Sequence, residues 1–191
     1  MYRKLKLMLG AAALALGIPS AFAADPDNTM VITTKDGDVT IALRPDLAPQ
    51  HVARIKELVR DGAYDNVAFH RVIEGFMAQT GDVQFGDMKD GYSPQQAGTG
   101  ASDKPDLPAE FSDVPFTRGV LGMARAQNPN SANSQFFIMF TEYPSLNGQY
   151  TVVGEVEKGM ELVDKIKRGA GGNGEVSDPD RMIKVRIAGD K

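Results

Sequence analysis

Apolar positions change period several times along this chain, and each change marks an element. Met30–Thr34 and Val39–Leu43 are runs of β-formers on either side of Lys35-Asp36-Gly37-Asp38, and Asp-Gly between such runs predicts a hairpin. Pro49 opens and Gly62 closes a stretch with Val52, Ile55, Leu58 and Val59 on one face, the spacing of an amphipathic helix. Val67–Ile73 and Phe76–Ala78, joined by Glu74-Gly75, predict a second hairpin within Val67–Asp82. Gly119–Ala126, Ser134–Thr141, Tyr150–Val156 and Ile183–Ala188 follow as strands, and Met160–Lys167 as a short helix with Met160, Val163 and Ile166 inward, closed by Gly169. Between them, Gln84–Arg118 keeps no period and carries four prolines, which suggests a functional wall or lid. Evenly spaced strands with one helix early and one late read as a mainly β, closed antiparallel barrel capped by helices.

Polar side chains interrupt the second hairpin where a core would be apolar. By strand alternation Phe69, Arg71 and Ile73 share a face, so a guanidinium sits in an apolar row. Such a charge must reach a carboxylate, serve a pocket that needs a cation, or pack its stem and send its head to water. Two further islands have the same mixed character. Gly122-Met123-Ala124-Arg125-Ala126 sets small residues at an edge, and Ser134-Gln135-Phe136-Phe137 pairs an amide with aromatics. With Arg71, Gln79, Phe76 and Met77 they describe a hydrophobic cleft holding one cation and two amides, suited to a neutral apolar group flanked by peptide carbonyls.

Composition narrows the setting. Arg3, Lys4 and Lys6, then apolar Leu7–Ile18, then Ala21-Phe22-Ala23 have the layout of a cleavable signal peptide over residues 1–23. The apolar stretch is shorter than the ~20 residues of a spanning helix. A single domain, residues 24–191, would remain, with Ala24–Thr29 a polar, disordered start. Losing three basic residues and no acidic ones moves the net charge from −4 to −7, which disfavours nucleic acid as a partner. With no cysteine there is neither disulfide nor thiolate metal site, and two histidines, His51 expected on the exposed face of the first helix, make zinc improbable.

Two apparent motifs do not survive their context. Gly169–Gly174 matches G-x-G-x-x-G, but a helix precedes it and a loop follows, the reverse of a dinucleotide site. Ser134, His70 and Asp82 could be written as a triad, yet no nucleophile elbow accompanies them.

The segments F-H-R-V-I-x-G-F-M-x-Q-x-G-D at Phe69–Asp82, G-V-L-G-M-A at Gly119–Ala124 and S-Q-F-F-I at Ser134–Ile138, in that order, resemble the cyclophilins. These are peptidyl-prolyl cis–trans isomerases, and the resemblance covers about Met30–Ala188. It implies a closed eight-stranded antiparallel β-barrel capped by two α-helices. It also implies that Arg71 is catalytic, that Phe76, Met77, Phe137 and Leu146 wall a proline pocket, and that Gln79 braces the arginine. His70, Ala124, Arg125, Ala126 and Gln135 match the peptide groove, and Gly98 its rim. Two positions depart from the family: Ser145 stands where many members carry Trp, and Tyr150 replaces a pocket histidine. The expectation is an exported, monomeric isomerase acting on proline-containing unfolded or flexible polypeptides in the periplasm. It would need no cofactor and, after signal cleavage, no membrane. Its rivals are a groove-bearing holdase with little catalysis and a barrel that binds a small ligand.

Overall fold

The computed structural model describes residues 25–89 and 92–190; the expected signal segment lies outside them. Asp25 accepts the N–H of Asp27 and starts a single 3-10 turn, Pro26–Asn28, so the residues expected to be disordered lead directly into a strand. β1 (Thr29–Thr34) and β2 (Gly37–Leu43) form the first hairpin around Lys35-Asp36, with Thr34 opposite Gly37. The second predicted hairpin is cut in two. β3 (Val67–Ala68) ends before Phe69-His70, and β4 (Arg71–Ile73) and β5 (Met77–Thr80) then pair around Glu74–Phe76. β6 (Val120–Met123), β7 (Phe136–Met139), β8 (Val152–Lys158), β9 (Arg181–Met182) and β10 (Lys184–Ile187) complete the strands.

Eight of these strands form one antiparallel sheet in the order β10-β1-β2-β8-β6-β7-β5-β4, and β3 pairs with β9 separately. The expected closure of the barrel is therefore not found. The sheet is open and curled, with β4 and β10 at its edges. The two-residue β3/β9 ribbon continues from both edges by chain connectivity, and the 174–176 segment bonds to β4 through Val72 N–H to Gly174 O (2.7 Å) and to the break before it through Val176 N–H to His70 O (3.1 Å). Short segments meeting at a break in a strand cannot extend an unbroken ladder.

Both faces of the sheet are covered, which is why Phe136–Phe140 is apolar throughout. Phe136, Ile138 and Phe140 join the inner core with Ile41, Leu121 and Ile55, whereas Phe137 and Met139 join an outer cluster with Met77, Phe116, Val120 and Val152. The break at Phe69-His70 also changes the facing of the second hairpin. Phe69 packs in the inner core and Ile73 against the outer cluster, so these two do not share a face as strand alternation predicts.

Two helices complete the fold. α1 (Pro49–Arg60) presents Val52, Ile55, Leu58 and Val59 to the inner core. α2 (Met160–Val163) is half the length expected. It tightens into i→i+3 turns at Lys165 and Ile166, which still seat Val163 and Ile166 in the core while Met160 is half-buried. Among the described residues no helix is long and apolar enough to cross a membrane.

His51 is fully buried, contrary to its expected surface position. The reason lies at the start of α1. Ala48 offers no capping side chain, and Pro49 has no N–H to satisfy. Glu110, from the long irregular stretch, supplies the cap instead. Its carboxylate accepts the N–H groups of Gln50 and His51 (both 3.1 Å) and meets His51 Nδ1 at 2.7 Å. Burial pushes the Glu110 carboxyl up, but these three donors outweigh it and hold the group below its ordinary range. Glu110→Ala is therefore expected to cost about 1–2 kcal/mol, as loss of a helix cap does. Thermal melts should show a fall of about 2–8 °C, and an unchanged melting temperature would remove Glu110 from this role.

Candidate active site

Pairing register assembles the site. Arg71 on β4 lies opposite Gln79 on β5, Gln79 opposite Phe137 on β7, Phe137 opposite Gly122 on β6, and Gly122 opposite Val152 on β8. Five residues from five strands thus make one row on the outer face. Gly122 is required where it is: a Cβ there would stand 2.4 Å from Phe137 and 2.6 Å from Phe116, so any side chain would dislodge both rings. Those rings stack with centroids 5.8 Å apart.

Polar side chains continue the row. Arg71 Nε–H donates to Asn173 O (3.0 Å) and Nη1–H to Gln79 Oε1 (3.2 Å). Gln79 Nε2–H donates to Gln135 Oε1 (3.0 Å), and Gln135 Nε2–H donates to the carbonyls of Gly98 (3.1 Å) and Gly100 (2.8 Å). The N–H groups of those two glycines donate in turn to the fully buried Asp82 carboxylate at 2.7 and 2.9 Å. Its other oxygen accepts the N–H groups of Gln84 and Phe85. Four backbone donors thus offset the cost of burying this carboxylate, and with its oxygens so occupied it cannot serve a Ser134–His70 triad. The Gly169–Gly174 stretch likewise has another use: it is a turn held to β4 by Gly169 N–H to Val72 O (2.9 Å), and it brings the Asn173 carbonyl to Arg71.

Arg71 is half-buried, and burial lowers its pKa, though a guanidinium stays charged. It forms no ion pair among the described residues; its partners are neutral oxygens. Beside it lies a cavity of about 200 Å³. Phe76, Met77, Phe137, Leu146 and Tyr150 supply the apolar wall, and Arg71, Gln79, Ala124 and Arg125 the rim. The Tyr150 ring stands edge-on to Phe137 at 5.8 Å. Ser145, at the position of the family's Trp, is exposed. Phe76 is covered instead by Tyr143, with ring centroids 4.5 Å apart.

The other expected residues line two neighbouring compartments. Gly98, Ala126 and Gln135 border a second cavity, of about 360 Å³, that shares Gln79, Ala124 and Arg125 with the first. His70 borders a third, of about 270 Å³, with Arg71, Gly98 and Asn173. Gln79 faces all three. Every expected residue therefore lies on one groove, although Arg71 meets only the first and third compartments and His70 only the third. Asp82 and Asn173 were missed as site-builders. Asp82 ends the motif after Gly81, and Asn173 lies in a glycine-rich turn, but neither signal says what the residue touches.

The fold and the row together accord with comparison to known proteins. Residues 29–187 match the family described as "Cyclophilin type peptidyl-prolyl cis-trans isomerase/CLD". The chain belongs to the cyclophilin-type peptidyl-prolyl cis–trans isomerases. It is 64% identical over 180 residues to a probable peptidyl-prolyl cis–trans isomerase of Brucella suis, covering 93% of this chain and 92% of that one. A crystal structure of a cyclophilin from Hirschia baltica superposes with a TM-score of 0.72 at 27% identity, over 88% of this chain and 76% of that chain. A Cryptosporidium parvum cyclophilin-type isomerase, solved in the presence of the dipeptide Ala-Pro, gives a TM-score of 0.67 at 26% identity, over 83% and 98%.

Buried His70 gives this cyclophilin a pH-dependent stability. Burial pushes its imidazole down to about 4, against the opposing pull of the Asp82 carboxylate. An unfolded histidine binds a proton near pH 6.5. Between these values the unfolded state holds more protons, so stability falls as pH drops from about 6.5 to about 4. The loss attributable to His70 is about 3 kcal/mol across that window. Denaturant titrations at successive pH values should show His70→Gln flattening the decline, and an equally steep decline in the variant would exclude His70 as its cause.

Proposed function

We propose that this chain accelerates cis–trans rotation about X-Pro bonds in exported, flexible or unfolded polypeptides, with Arg71 as its catalytic group. One observation carries the assignment: a guanidinium held by neutral oxygens, without an ion pair among the described residues, at the rim of a cavity walled by Phe76, Met77, Phe137 and Leu146. The barrier to rotation is amide resonance, ~18–20 kcal/mol. Twisting the bond localises a lone pair on the prolyl nitrogen. A fixed cation aimed there favours the twisted amide over either planar isomer. Phe76, Met77, Phe137 and Leu146 hold the ring still while the carbonyl side turns, and Gln79 keeps the guanidinium from swinging away. No bond is made or broken, so no nucleophile, proton shuttle or metal is required.

The groove beyond the pocket supplies the peptide contacts in this reading. Ala124, Arg125, Ala126, Gln135 and Gly98 border it, and its polar walls suit the backbone of an extended polypeptide. Export rests on the n-region, h-region and Ala21-Phe22-Ala23 pattern of the sequence. N-terminal sequencing of protein from the cell envelope should begin at Ala24; a retained Met1 would overturn the assignment to the periplasm.

A protease-coupled assay on Ala-Pro peptides tests the catalytic reading. Arg71→Ala is expected to lower kcat/KM by about 10²–10³. Its melting temperature should stay within about 2 °C, since the change removes a partly desolvated charge. Arg71→Lys should recover only part of the activity, because a point charge lacks the planar fork. The wild-type rate should be level between about pH 6 and 9, where no required group titrates. A folded Arg71→Ala with wild-type activity would refute the role of Arg71. Wild-type protein that binds peptide without accelerating isomerisation would favour a holdase.

A further inference from the structure

Two walls of the proline pocket, Leu146 and Tyr150, come from the link between β7 and β8, where residues 141–149 are exposed except for half-buried Leu146. A single 3-10 turn, Pro144–Leu146, is its only regular structure. The backbone ties the link at Tyr143, whose N–H donates to Phe116 O (2.8 Å), and just beyond it at Thr151, whose O accepts Met123 N–H (3.0 Å). Between these ties, Arg125, just past the end of β6, holds Gln149 and the Tyr150 ring. Its guanidinium carbon lies 4.5 Å from the Tyr150 ring centroid. Nε–H and Nη2–H both donate to Gln149 O, at 3.3 and 3.0 Å, while Nη1–H donates to Ala126 O (2.9 Å) and Gln127 O (3.2 Å). This stacked, forked arrangement is available to arginine and not to lysine. Carbonyls of its own chain therefore set the orientation of this guanidinium at the rim of the groove.

We propose that Arg125 is a positioning residue of the isomerase. It pins Gln149 and the Tyr150 ring to the end of β6 and so sets the Tyr150–Leu146 wall of the proline pocket. The proposal rests on the pocket assignment above. It also gives the departure at Tyr150 a structural partner: a phenol ring offers the guanidinium a face to stack on.

The test follows binding and catalysis separately, by titrating an Ala-Pro peptide and measuring cis–trans exchange at saturation by NMR. Arg125→Ala and Arg125→Lys should each weaken peptide binding about 5- to 30-fold, with the saturated exchange rate held within about twofold. Tyr150→Ala should weaken binding similarly, and the double variant should bind no worse than Tyr150→Ala alone, since both remove one contact. If Arg125→Ala does not fold, Arg125→Gln carries the same comparison. Wild-type affinity in Arg125→Ala, full rescue by lysine, multiplying effects in the double variant, or loss of the saturated rate at unchanged affinity would each overturn the proposal. Arg71→Ala, run alongside, separates the two readings: if it keeps the saturated rate, the pocket assignment fails, and the proposal with it.

Discussion

Side chains alternate along a strand, so a slip of one residue between β5 and either neighbour would turn Gln79 into the core and Ala78 out of it. The whole site hangs on that register. Val72, Ala78, Ile138 and Leu121 must all face the inner core, and Met77, Phe137 and Met139 the outer cluster. With both faces apolar, either slip would misplace a large side chain on each side of the sheet. Only within this register do Arg71, Gln79 and Phe137 become lateral neighbours. Gly122 then leaves room for the aromatic ring that the row needs.

Two charged groups of one hydrogen-bond network are treated in opposite ways. Asp82, fully buried, receives four backbone N–H groups and serves structure: it fixes the segment after β5 to Gly98 and Gly100. Arg71 receives only neutral acceptors. A carboxylate in contact would stabilise it in the resting protein but cancel the field it directs at the pocket. Holding the cation with a carbonyl and an amide fixes its direction and leaves its charge uncompensated, at the cost of partial desolvation. The amide of Gln79 joins the two systems, because its partner Gln135 binds the same glycines that Asp82 holds.

Hydrophobic period made most strands and the first helix legible to within a residue or two, and the mixed polar islands pointed to side chains that the fold brings to neighbouring cavities. What the sequence carries is parity, and parity without pairing does not say that Arg71, Gln79 and Phe137 are adjacent. Closure of the barrel was misjudged because it depends on β3 and β9, two residues each, too short to show a period. His51 was misplaced because its burial depends on Glu110, 59 positions away. The facing of Phe69 against Ile73 failed for a local reason, the interruption of the strand at Phe69-His70. The resemblance to the cyclophilins named the pocket residues, but Arg125 and Tyr150 appeared in it only as separate groove positions; their contact is visible in three dimensions alone.

From Gly98 to Phe116 the irregular stretch is built as a wall, and this bears on how the enzyme can work. It is tied down at intervals by side chains from distant elements. Asp82 holds Gly98 and Gly100, Asn133 holds Ser102 and Lys104, Glu110 binds the start of α1 and donates its own N–H to Thr151, and Asn147 accepts the N–H of Phe116. A groove fixed in this way spends little ordering entropy when a peptide enters, so the cost of binding falls mainly on the peptide. It also resists adapting to the planar amide. Acceleration requires the guanidinium to meet the twisted bond better than the flat one, and a cation free to follow the substrate would stabilise both alike. The hydrogen bonds that hold Arg71 from Asn173 on one side and Gln79 on the other are what keep that difference available.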